Sequence, residues 1–316
     1  MEKKISFCIA CYNEVNNVEE LVKRIEAVME KESYRYEIVF SDNASEDGTQ
    51  DVLRRLASED KRIKVIINNR NYGPRKSPRN AMRHCTGEVV IALASDLQDP
   101  PELIPEFLRA WEEGYLLVYG QKTASEEGVV KYKLRDLYYN IINMFSPIPQ
   151  YKHISGICLH DRKVLKEMLE SDPDISFRTL IAEMGYPVKL IPYKQNKRKS
   201  GKSSYNIGRY FDYALDTLVS TSTAPLRTVT VMGCLMSMIC FLIGIVYLIL
   251  KLIYWNRFSA GTAPMLIGIF FIGSVQILFI GLVGEYVGTI LKRVTKQLPV
   301  IEKELINFDE DDIQRQ

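Results

Sequence analysis

Two long apolar segments near the C-terminus constrain this chain more than any other feature. Val229–Leu250 contains 22 consecutive residues without a charged side chain, and Met265–Gly284 contains another 20. At about 1.5 Å per helical residue, each segment can cross the hydrocarbon core of a bilayer, which is roughly 30 Å thick. A pair of buried core helices is the alternative, but core helices of this length usually carry a polar face. The sequence therefore predicts two membrane spans.

The charges beside these segments predict their orientation. Four cations lie at the outer ends of the pair and two lie in the connecting loop: Arg227, Lys292, Arg293 and Lys296 against Lys251 and Arg257. This bias has the sign expected when both ends of the pair face the cytoplasm. The early apolar run Ile5–Ala10 is too short for a signal peptide. We therefore expect a multi-pass protein of the cell membrane whose first 227 residues are cytoplasmic.

Overall composition argues against several classes of protein. Lys and Arg number 41 against 39 Asp and Glu, and this small excess gives no general case for binding nucleic acid. Cys8 and Cys11 form a single C-x-x-C in a predicted strand, where they would point to opposite faces, so no zinc site is expected. His84, His153 and His160 share no metal-ligand spacing. The cysteines are expected to be reduced and structural.

The first 120 residues alternate between strand-like and helix-like segments, as βαβ units do. Strands are predicted at Ile5–Ala10, Tyr36–Ser41, Ile63–Ile67, Val89–Leu93 and Leu116–Tyr119, with helices at Asn17–Lys31, Thr49–Glu59, Ser77–Cys85 and Pro101–Glu113. Asn17 and Glu20 have the spacing of a capping box, and Gly87 is expected to end the third helix. The pattern predicts an α/β fold with a largely parallel sheet and helices on both faces.

Residues beyond Gly120 show a looser pattern that we expect to complete an acceptor site. The predicted elements are a helix at Val130–Phe145, a strand near Ile157, and short helices at Arg162–Leu169 and Phe177–Met184. The cationic segment then places five cations in nine positions: Lys194, Lys197, Arg198, Lys199 and Lys202. It could bind a substrate phosphate or anionic lipid in general. Residues 206–227 then predict an amphipathic helix, lying in the membrane interface or against the soluble domain.

Polar residues follow three of the predicted strands, at the sheet edge where α/β folds bind ligands. The three sets are Tyr12–Glu14, Asp42–Gly48 and Ser95–Asp99. Any one set alone would be read as a turn or helix cap, but three sets on one edge indicate a binding site. Asp161 with Arg162 is read as a helix cap and helix start. Glycine-rich dinucleotide and Walker motifs are absent, which argues against NAD enzymes and P-loop enzymes.

These motifs resemble glycosyltransferase family 2, the GT-A nucleotide-sugar enzymes. Within it they resemble the polyprenyl-phosphate branch, related to dolichol-phosphate mannose synthase and bactoprenol glucosyltransferases. The matching segments are Tyr12–Glu14, Ser41–Thr49, Asn71–Gly73, Asp96–Glu102, Asp161–Arg162 and Arg198–Tyr205. The run Asp-Leu-Gln-Asp-Pro-Pro-Glu at 96–102 is specific to this branch. The resemblance implies a GT-A fold followed by two C-terminal transmembrane helices.

The resemblance also implies roles for individual residues. Six residues fall at positions where the family binds the nucleotide: Ala10, Tyr12, Glu14, Asp42, Ser95 and Asp96. Asp96 and Gln98 fall where the family binds a divalent cation, Mg²⁺ or Mn²⁺, and Lys122 stands where a relative has arginine. Arg135 and Arg198 fall near phosphate-binding positions and, with Asp96, are the candidate catalytic residues. The chain departs from the family twice, because Ala94 and Gly156 stand where relatives carry aspartate.

A charged acceptor would explain both departures. A sugar hydroxyl loses a proton as it attacks, so an enzyme without a positioned base forfeits about 10²- to 10⁴-fold in rate. A lipid phosphate has a second pKa of about 6, by analogy with phosphoserine, and is already ionised at neutral pH. The obstacle is then repulsion from the donor diphosphate, about 4 kcal/mol per pair of unit charges at 4 Å in a medium of effective dielectric 20. Cations are the groups that such an enzyme needs.

We therefore expect inverting transfer of one sugar from a nucleotide sugar, UDP-linked by resemblance, to a polyprenyl (undecaprenyl) phosphate at the cytoplasmic membrane face. The product would be a lipid-linked sugar for modifying cell-envelope glycans. The expected partners are the donor, the lipid acceptor and the membrane, without nucleic acid. The resemblance also implies a homo-oligomer such as a tetramer.

The expected domains are the GT-A domain at 1–205, the amphipathic helix at 206–227, the transmembrane hairpin at 228–290 and a tail at 291–316, acidic and frayed from Asn307. Two alternatives to the transfer reaction remain. A polymerising GT-A synthase is disfavoured by having only two spans and no Gln-x-x-Arg-Trp motif. A catalytically silent nucleotide-binding scaffold is favoured by Ala94 alone.

Overall fold

The computed structural model describes residues 3–124, 151, 154–171, 175, 177–196, 224–253, 262–294 and 298–309. The chain forms two compact units, one built on a β-sheet and the other on two long helices. Several predictions lie outside the described residues: the helix at Val130–Phe145, the amphipathic helix, Arg135, Arg198, and the cationic segment from Lys197 onward.

The first unit is organised by a sheet of eight described strands. They are β1 (Lys4–Cys11), β2 (Arg35–Asp42), β3 (Ile63–Asn68), β4 (Val89–Ala94), β5 (Leu117–Ala124), β6 (Ile154–Asp161), β7 (Val188–Lys194) and β8 (Glu302–Ile306). Their order is β7-β5-β6-β4-β1-β2-β3-β8. The run β4-β1-β2-β3 and the pair β5-β7 are parallel, whereas β6 and β8 are antiparallel to their neighbours. The predicted α/β fold with a mostly parallel sheet is confirmed.

Helices cover both faces of this sheet, as the burial of β1 side chains on both faces requires. They are α1 (Val18–Met29), α2 (Thr49–Glu59), α3 (Gly73–His84), a 3₁₀ turn (Pro101–Leu103), α4 (Ile104–Glu112), α5 (Arg162–Glu170) and α6 (Phe177–Met184). Phe7, Ile9 and Cys11 of β1 belong to the apolar cluster that includes α1, α2 and α4. Cys8 belongs to the cluster on the other face, with α3. The two cysteines of the C-x-x-C thus point apart, as expected.

Two of the predicted helix-capping roles, those of Asn17 and Gly87, are wrong, each for a local reason. Asn17 precedes α1 but makes no capping bond to it, and its side-chain amide donates to Glu14 instead. The third helix ends at His84 without help from Gly87. A Cβ at Gly87 would lie 2.7 Å from the backbone nitrogen of Ser6, so glycine is needed there for the close approach to β1.

The segment expected as a tail contains a strand that the sequence analysis did not predict. β8 pairs with β3, and its Glu302 carboxylate accepts a bond of 2.6 Å from Asn80. Arg54 pairs with Glu304 at 2.9 Å. The Asn307 side chain donates to the carbonyl oxygens of Ala57 and Ile63. These contacts close the edge of the sheet, and the frayed region assigned from Asn307 therefore begins too early.

The second unit contains α7 (Ala224–Ile253) and α8 (Thr262–Val294). Both predicted apolar segments are helical, and most of their described large apolar side chains are exposed. Among the described residues, one segment, Phe271–Leu291, is long and apolar enough to cross a membrane by length and composition. Two membrane spans therefore stay a prediction.

Candidate functional site

The carboxyl ends of β1, β2 and β4 bring the three predicted polar sets to one edge of the sheet. Ala10 lies opposite both Ser41 and Ala94 in the strand register, and Cys11 lies opposite Asp42. The residues that follow each strand are therefore neighbours, although they are separated by about 30 to 80 positions in the chain. The sequence analysis placed Ala10, Tyr12, Glu14, Asp42, Ser95 and Asp96 at this edge, and all six lie there.

The loops after β1 and β2 are tied together by side chains. Asn13 adopts a left-handed backbone, with φ of 56°, and its amide NH donates to Ser45 at 2.9 Å. The backbone NH of Glu46 donates a hydrogen bond of 3.0 Å to the side-chain oxygen of Asn13. The Glu14 amide donates to the Thr49 hydroxyl at 3.0 Å. These bonds fix the loop that carries Tyr12, whose ring is 42% exposed at the rim of the site.

Asp42 is fully buried at the end of β2, with its carboxylate oriented by its own turn. It accepts bonds of 3.0 Å from the Ser45 amide and from the Gln50 side chain. The Cys11 thiol lies 4.0 Å from its other oxygen. Burial, and then the charge of Asp42, raise the pKa of Cys11 well above its usual value, so this cysteine stays protonated.

A third loop, Asn71–Gly73, joins this arrangement through Asn43. The side-chain NH₂ group of Asn43 donates to the Asn71 side chain at 2.8 Å, and its side-chain oxygen accepts from the backbone NH of Tyr72 at 2.9 Å. Gly73 has φ of 82°, a left-handed backbone that suits glycine where α3 begins. The sequence pointed to this loop only through the family resemblance.

The turn after β4 presents oxygen atoms from Asp96 and Gln98. Between them Leu97 is buried in a left-handed conformation with φ of 59°, which is unusual for a bulky residue. The Asp96 carboxylate accepts from the Gln98 amide at 3.2 Å, and Ser95 donates to the Ala10 carbonyl at 3.1 Å. Asp96 and Gln98 are half-buried. Within the described ranges, no group of three or more His, Cys, Asp or Glu residues could hold a metal ion.

Asp99 is a site residue to which the sequence analysis assigned no role. Its side chain is buried and accepts hydrogen bonds from the Tyr193 hydroxyl and, at 3.4 Å, from the Gln195 amide. Burial raises the pKa of Asp99 although the Tyr193 bond opposes the shift. The sequence signals for it were the polar set Ser95–Asp99 and the branch-specific run at 96–102, and neither assigned it a role.

The two positions that depart from the family lie side by side. A Cβ added to Gly156 would lie 3.8 Å from the Ala94 Cβ and 3.0 Å from a carboxylate oxygen of Asp99. This proximity follows from the antiparallel insertion of β6 next to β4. Local sequence patterns could not predict it, because residues 94 and 156 belong to different parts of the predicted pattern.

Asp161 and Arg162 have the structural role expected of them. Asp161 caps α5 by accepting from the Lys163 amide at 2.9 Å, and it also accepts from the Trp111 indole at 2.8 Å. Arg162 donates to the carbonyl oxygens of Cys85 and Gly87. The described cysteines outside the long helices are free and buried.

Comparison with known proteins identifies two family matches and several relatives. Residues 6–171 match Glycosyl transferase family 2, and residues 224–290 match the GtrB C-terminal hairpin. An uncharacterized glycosyltransferase of Synechocystis sp. is 30% identical, covering 93% of each chain. The bactoprenol glucosyl transferase of Shigella phage SfX is 29% identical over 91% of this chain and 94% of its own.

A solved structure shares the fold. Glucosyl-3-phosphoglycerate synthase from Mycobacterium tuberculosis, in complex with Mn²⁺, UDP and phosphoglyceric acid, superposes with a TM-score of 0.50 at 16% identity. The likeness covers 69% of this chain and 78% of that one. It supports the GT-A architecture that the sequence predicted.

Proposed function

This chain belongs to glycosyltransferase family 2 and is a glycosyltransferase, and we propose that it transfers one sugar from a nucleotide sugar to a polyprenyl phosphate at a membrane. One observation carries the proposal: a family 2 domain is followed in the same chain by a hairpin that matches the GtrB type. A relative named bactoprenol glucosyl transferase, aligned over 91% of this chain, supports a lipid carrier as acceptor.

The donor is proposed to bind at the carboxyl edge of β1 and β2. Tyr12 has an exposed ring that can stack on the base. Asp42 is assigned to the nucleotide by the family resemblance, and its buried carboxylate orients the loop beside the proposed pocket by accepting bonds from Ser45 and Gln50. Ala10, Glu14 and Ser95 complete the proposed pocket. A uridine nucleotide is our proposal on resemblance, and a relative of the same fold was solved with UDP.

Asp96 and Gln98 are proposed to hold a divalent cation, Mg²⁺ or Mn²⁺, on the donor diphosphate. The donor set fits such an ion, because carboxylate and amide oxygens are hard ligands and such sites commonly combine one or two carboxylates with substrate phosphates. The bound cation would neutralise charge on the diphosphate. Because the described residues offer no larger metal-binding cluster, phosphate oxygens are expected to supply the remaining ligands.

The proposed reaction needs no proton abstraction. An oxygen of the lipid phosphate forms a bond to the anomeric carbon while the bond to the diphosphate breaks, and the electron pair leaves with the nucleoside diphosphate. In-line attack inverts the anomeric centre. Arg135, Arg198 and Lys122 are proposed to stabilise the negative charges that approach each other. The residues at Ala94 and Gly156 lack carboxyl groups, as this mechanism permits.

The second unit is proposed to hold the acceptor's hydrocarbon chain at the membrane. We propose that α7 and α8 both cross the bilayer and that the sheet unit is cytoplasmic, following the cations that flank the pair. The domain boundaries near 205, 227 and 290, and assembly as a homo-oligomer such as a tetramer, are part of this proposal.

The test is incubation of membranes containing the protein with labelled nucleotide sugars and polyprenyl phosphate. Label in the organic phase that disappears when EDTA removes divalent cations is the expected result. Label only in long water-soluble polymer would instead support a polymerising synthase.

A catalytically silent scaffold is the second candidate, because Ala94 removes a carboxylate from the edge where Asp96 lies. Activity that appears only after Ala94→Asp would support it. Activity of the wild-type chain would exclude it.

A further inference from the structure

Asp99 lies where the turn after β4 meets the end of β7. Its carboxylate accepts from the Tyr193 hydroxyl and from the Gln195 side-chain amide, residues more than 90 positions later in the chain. Asp99 is 2% exposed and Tyr193 is 6% exposed, so their contact is shielded from water. Hydrogen bonds to charged groups contribute more than neutral ones, especially when buried. This contact is therefore a strong link between the two segments.

Two further bonds join the same segments. The Asn196 amide donates to the Gln98 carbonyl at 3.0 Å, and the Gln195 side chain lies 3.5 Å from the Gln98 side-chain oxygen. Residues 98–99 and 193–196 are thus connected by both backbone and side chains. Lys197, the second member of the cationic segment, follows Asn196 directly.

The backbone of strand β6 at Gly156 lies close to the second oxygen of the Asp99 carboxylate. The oxygen that does not bind Tyr193 would lie 3.0 Å from a Cβ at position 156, which glycine leaves out. Glycine therefore gives the carboxylate room at this place, while Tyr193 and Gln195 determine its direction. The charge of Lys122 on β5 also acts on Asp99.

We propose that Asp99 is a positioning residue that holds Tyr193–Asn196, and with it the start of the cationic segment, against the Asp96–Gln98 turn. This proposal rests on the proposed function. Lys194, the first cation of the segment and the last residue of β7, would then be held beside the turn that is proposed to bind the donor diphosphate. Asp99 acts here as a hydrogen-bond acceptor and not through its charge on substrate.

The test compares Asp99→Ala, Asp99→Asn and Tyr193→Phe in the full-length protein purified in detergent. Hydrogen exchange by mass spectrometry reports on residues 193–196, and steady-state kinetics report KM for each substrate and kcat. Loss of a charged hydrogen bond corresponds to roughly a 10- to 100-fold change. Asp99→Ala should raise both the exchange rate at 193–196 and the KM for polyprenyl phosphate about 10-fold or more. The KM for the nucleotide sugar should change less than the KM for polyprenyl phosphate, since the hydrogen bonds of Asn13, Glu14 and Asp42 in the loops after β1 and β2 do not involve Asp99.

Asp99→Asn should have a clearly smaller effect than Asp99→Ala, because the amide oxygen still accepts bonds from Tyr193 and Gln195, although without the charge that strengthens them. Tyr193→Phe should reproduce much of the Asp99→Ala effect and keeps the test usable if the alanine variant does not fold. The matched control is Tyr186→Phe, which removes an exposed hydroxyl that bonds to Glu167 near the other end of β7. It should change neither exchange at 193–196 nor either KM.

Two results would overturn the proposal. Unchanged exchange at 193–196 in both Asp99→Ala and Tyr193→Phe would show that Asp99 holds nothing there. An Asp99→Asn variant whose KM for polyprenyl phosphate rises as far as that of Asp99→Ala would show that the negative charge itself is required. If the wild-type chain transfers no sugar to lipid phosphate, the proposed function fails, and the exchange measurement alone decides the positioning role.

Discussion

The two edges of the parallel sheet use carboxylates in different ways. At the amino edge, Glu37 of β2 is 2% exposed and pairs with Lys4 at 2.7 Å and Lys64 at 3.1 Å. At the carboxyl edge, Asp96 is half-buried and forms no ion pair with any residue in the described part of the chain. A carboxylate surrounded by cations contributes stability. Carboxylates without such partners keep negative charge available for a ligand.

Besides its two ion pairs, the Glu37 carboxylate at the amino edge accepts hydrogen bonds from neighbouring residues. Ser6 donates to its carboxylate at 2.6 Å and the Thr86 amide donates at 2.7 Å. Burial alone would raise the pKa of Glu37, but the bonds from Lys4, Ser6 and Thr86 outweigh it and lower the pKa to about 2. Substitutions at the two edges should therefore separate stability from activity.

The largest effect is expected for Asp96→Ala at the carboxyl edge. Removing a group that stabilises charge in the transition state typically costs about 10²- to 10³-fold in rate, and we expect a loss of that size in transfer to polyprenyl phosphate. The free energy of unfolding should change by less than about 0.5 kcal/mol, because the half-buried side chain accepts one local bond. Asp51→Ala, which removes an exposed carboxylate on α2, is the control and should keep full activity. Equal activity of the Asp96 variant and wild type would remove the cation assignment.

Glu37→Gln should show the opposite behaviour, with stability lost and catalysis kept. A shift from 4.5 to about 2 corresponds to about 3 kcal/mol at neutral pH. Because the folded-state pKa is the lower one, this contribution is present above pH 4.5 and is lost as the pH falls toward about 2. Melting curves of both proteins in detergent at pH 7, 4 and 3 should therefore differ most at pH 7 and converge as the pH falls below 4.5. Identical melting at pH 7 would contradict the role assigned to Glu37.

Tyr12→Ala should have an intermediate effect confined to the donor. Stacking of an aromatic ring on a base contributes about 1–3 kcal/mol, so the KM for the nucleotide sugar should rise by about 10-fold or more. Tyr12→Phe keeps the ring and should remain within about 2-fold of wild type. An equal rise in the KM for the lipid acceptor, measured in the same assay, would argue against a contact specific to the base.

The smallest effect is expected for Cys8→Ser. Cys8 lies on β1 as Cys11 does, but it packs on the face away from Asp42, and its thiol lies 3.7 Å from the Pro78 carbonyl oxygen. A serine hydroxyl can donate to the same carbonyl, so stability should fall by about 1 kcal/mol or less. Transfer activity should be unchanged. A large loss of activity would mean that this face of β1 belongs to the site.

Local patterns predicted most of this fold, and the reason is physical. Parallel strands connected by helices must end at the same edge, so the positions of Tyr12, Asp42 and Asp96 follow from the order of elements along the chain. Alternation within β1 likewise placed Cys8 and Cys11 on opposite faces.

Pairings between distant segments were not predictable in the same way. The position of β6 between β4 and β5 brings Ala94 beside Gly156, and the contact between Asp99 and Tyr193 joins residues 94 positions apart. The strand β8 is short and charged, as edge strands often are, so its sequence resembles a solvated tail. Local periodicity cannot predict these contacts. They depend on which strands still have an unpaired edge once the other strands and helices have packed.

The acceptor is proposed to arrive already ionised, so that no carboxylate at 94 or 156 is needed. A decisive assay offers the purified full-length protein a prenyl monophosphate and the prenyl alcohol of the same chain length, with one labelled nucleotide sugar. Product is expected from the phosphate, with at least about 10²-fold slower transfer to the alcohol, whose proton has no base to receive it. Comparable rates with the two acceptors would contradict this proposal.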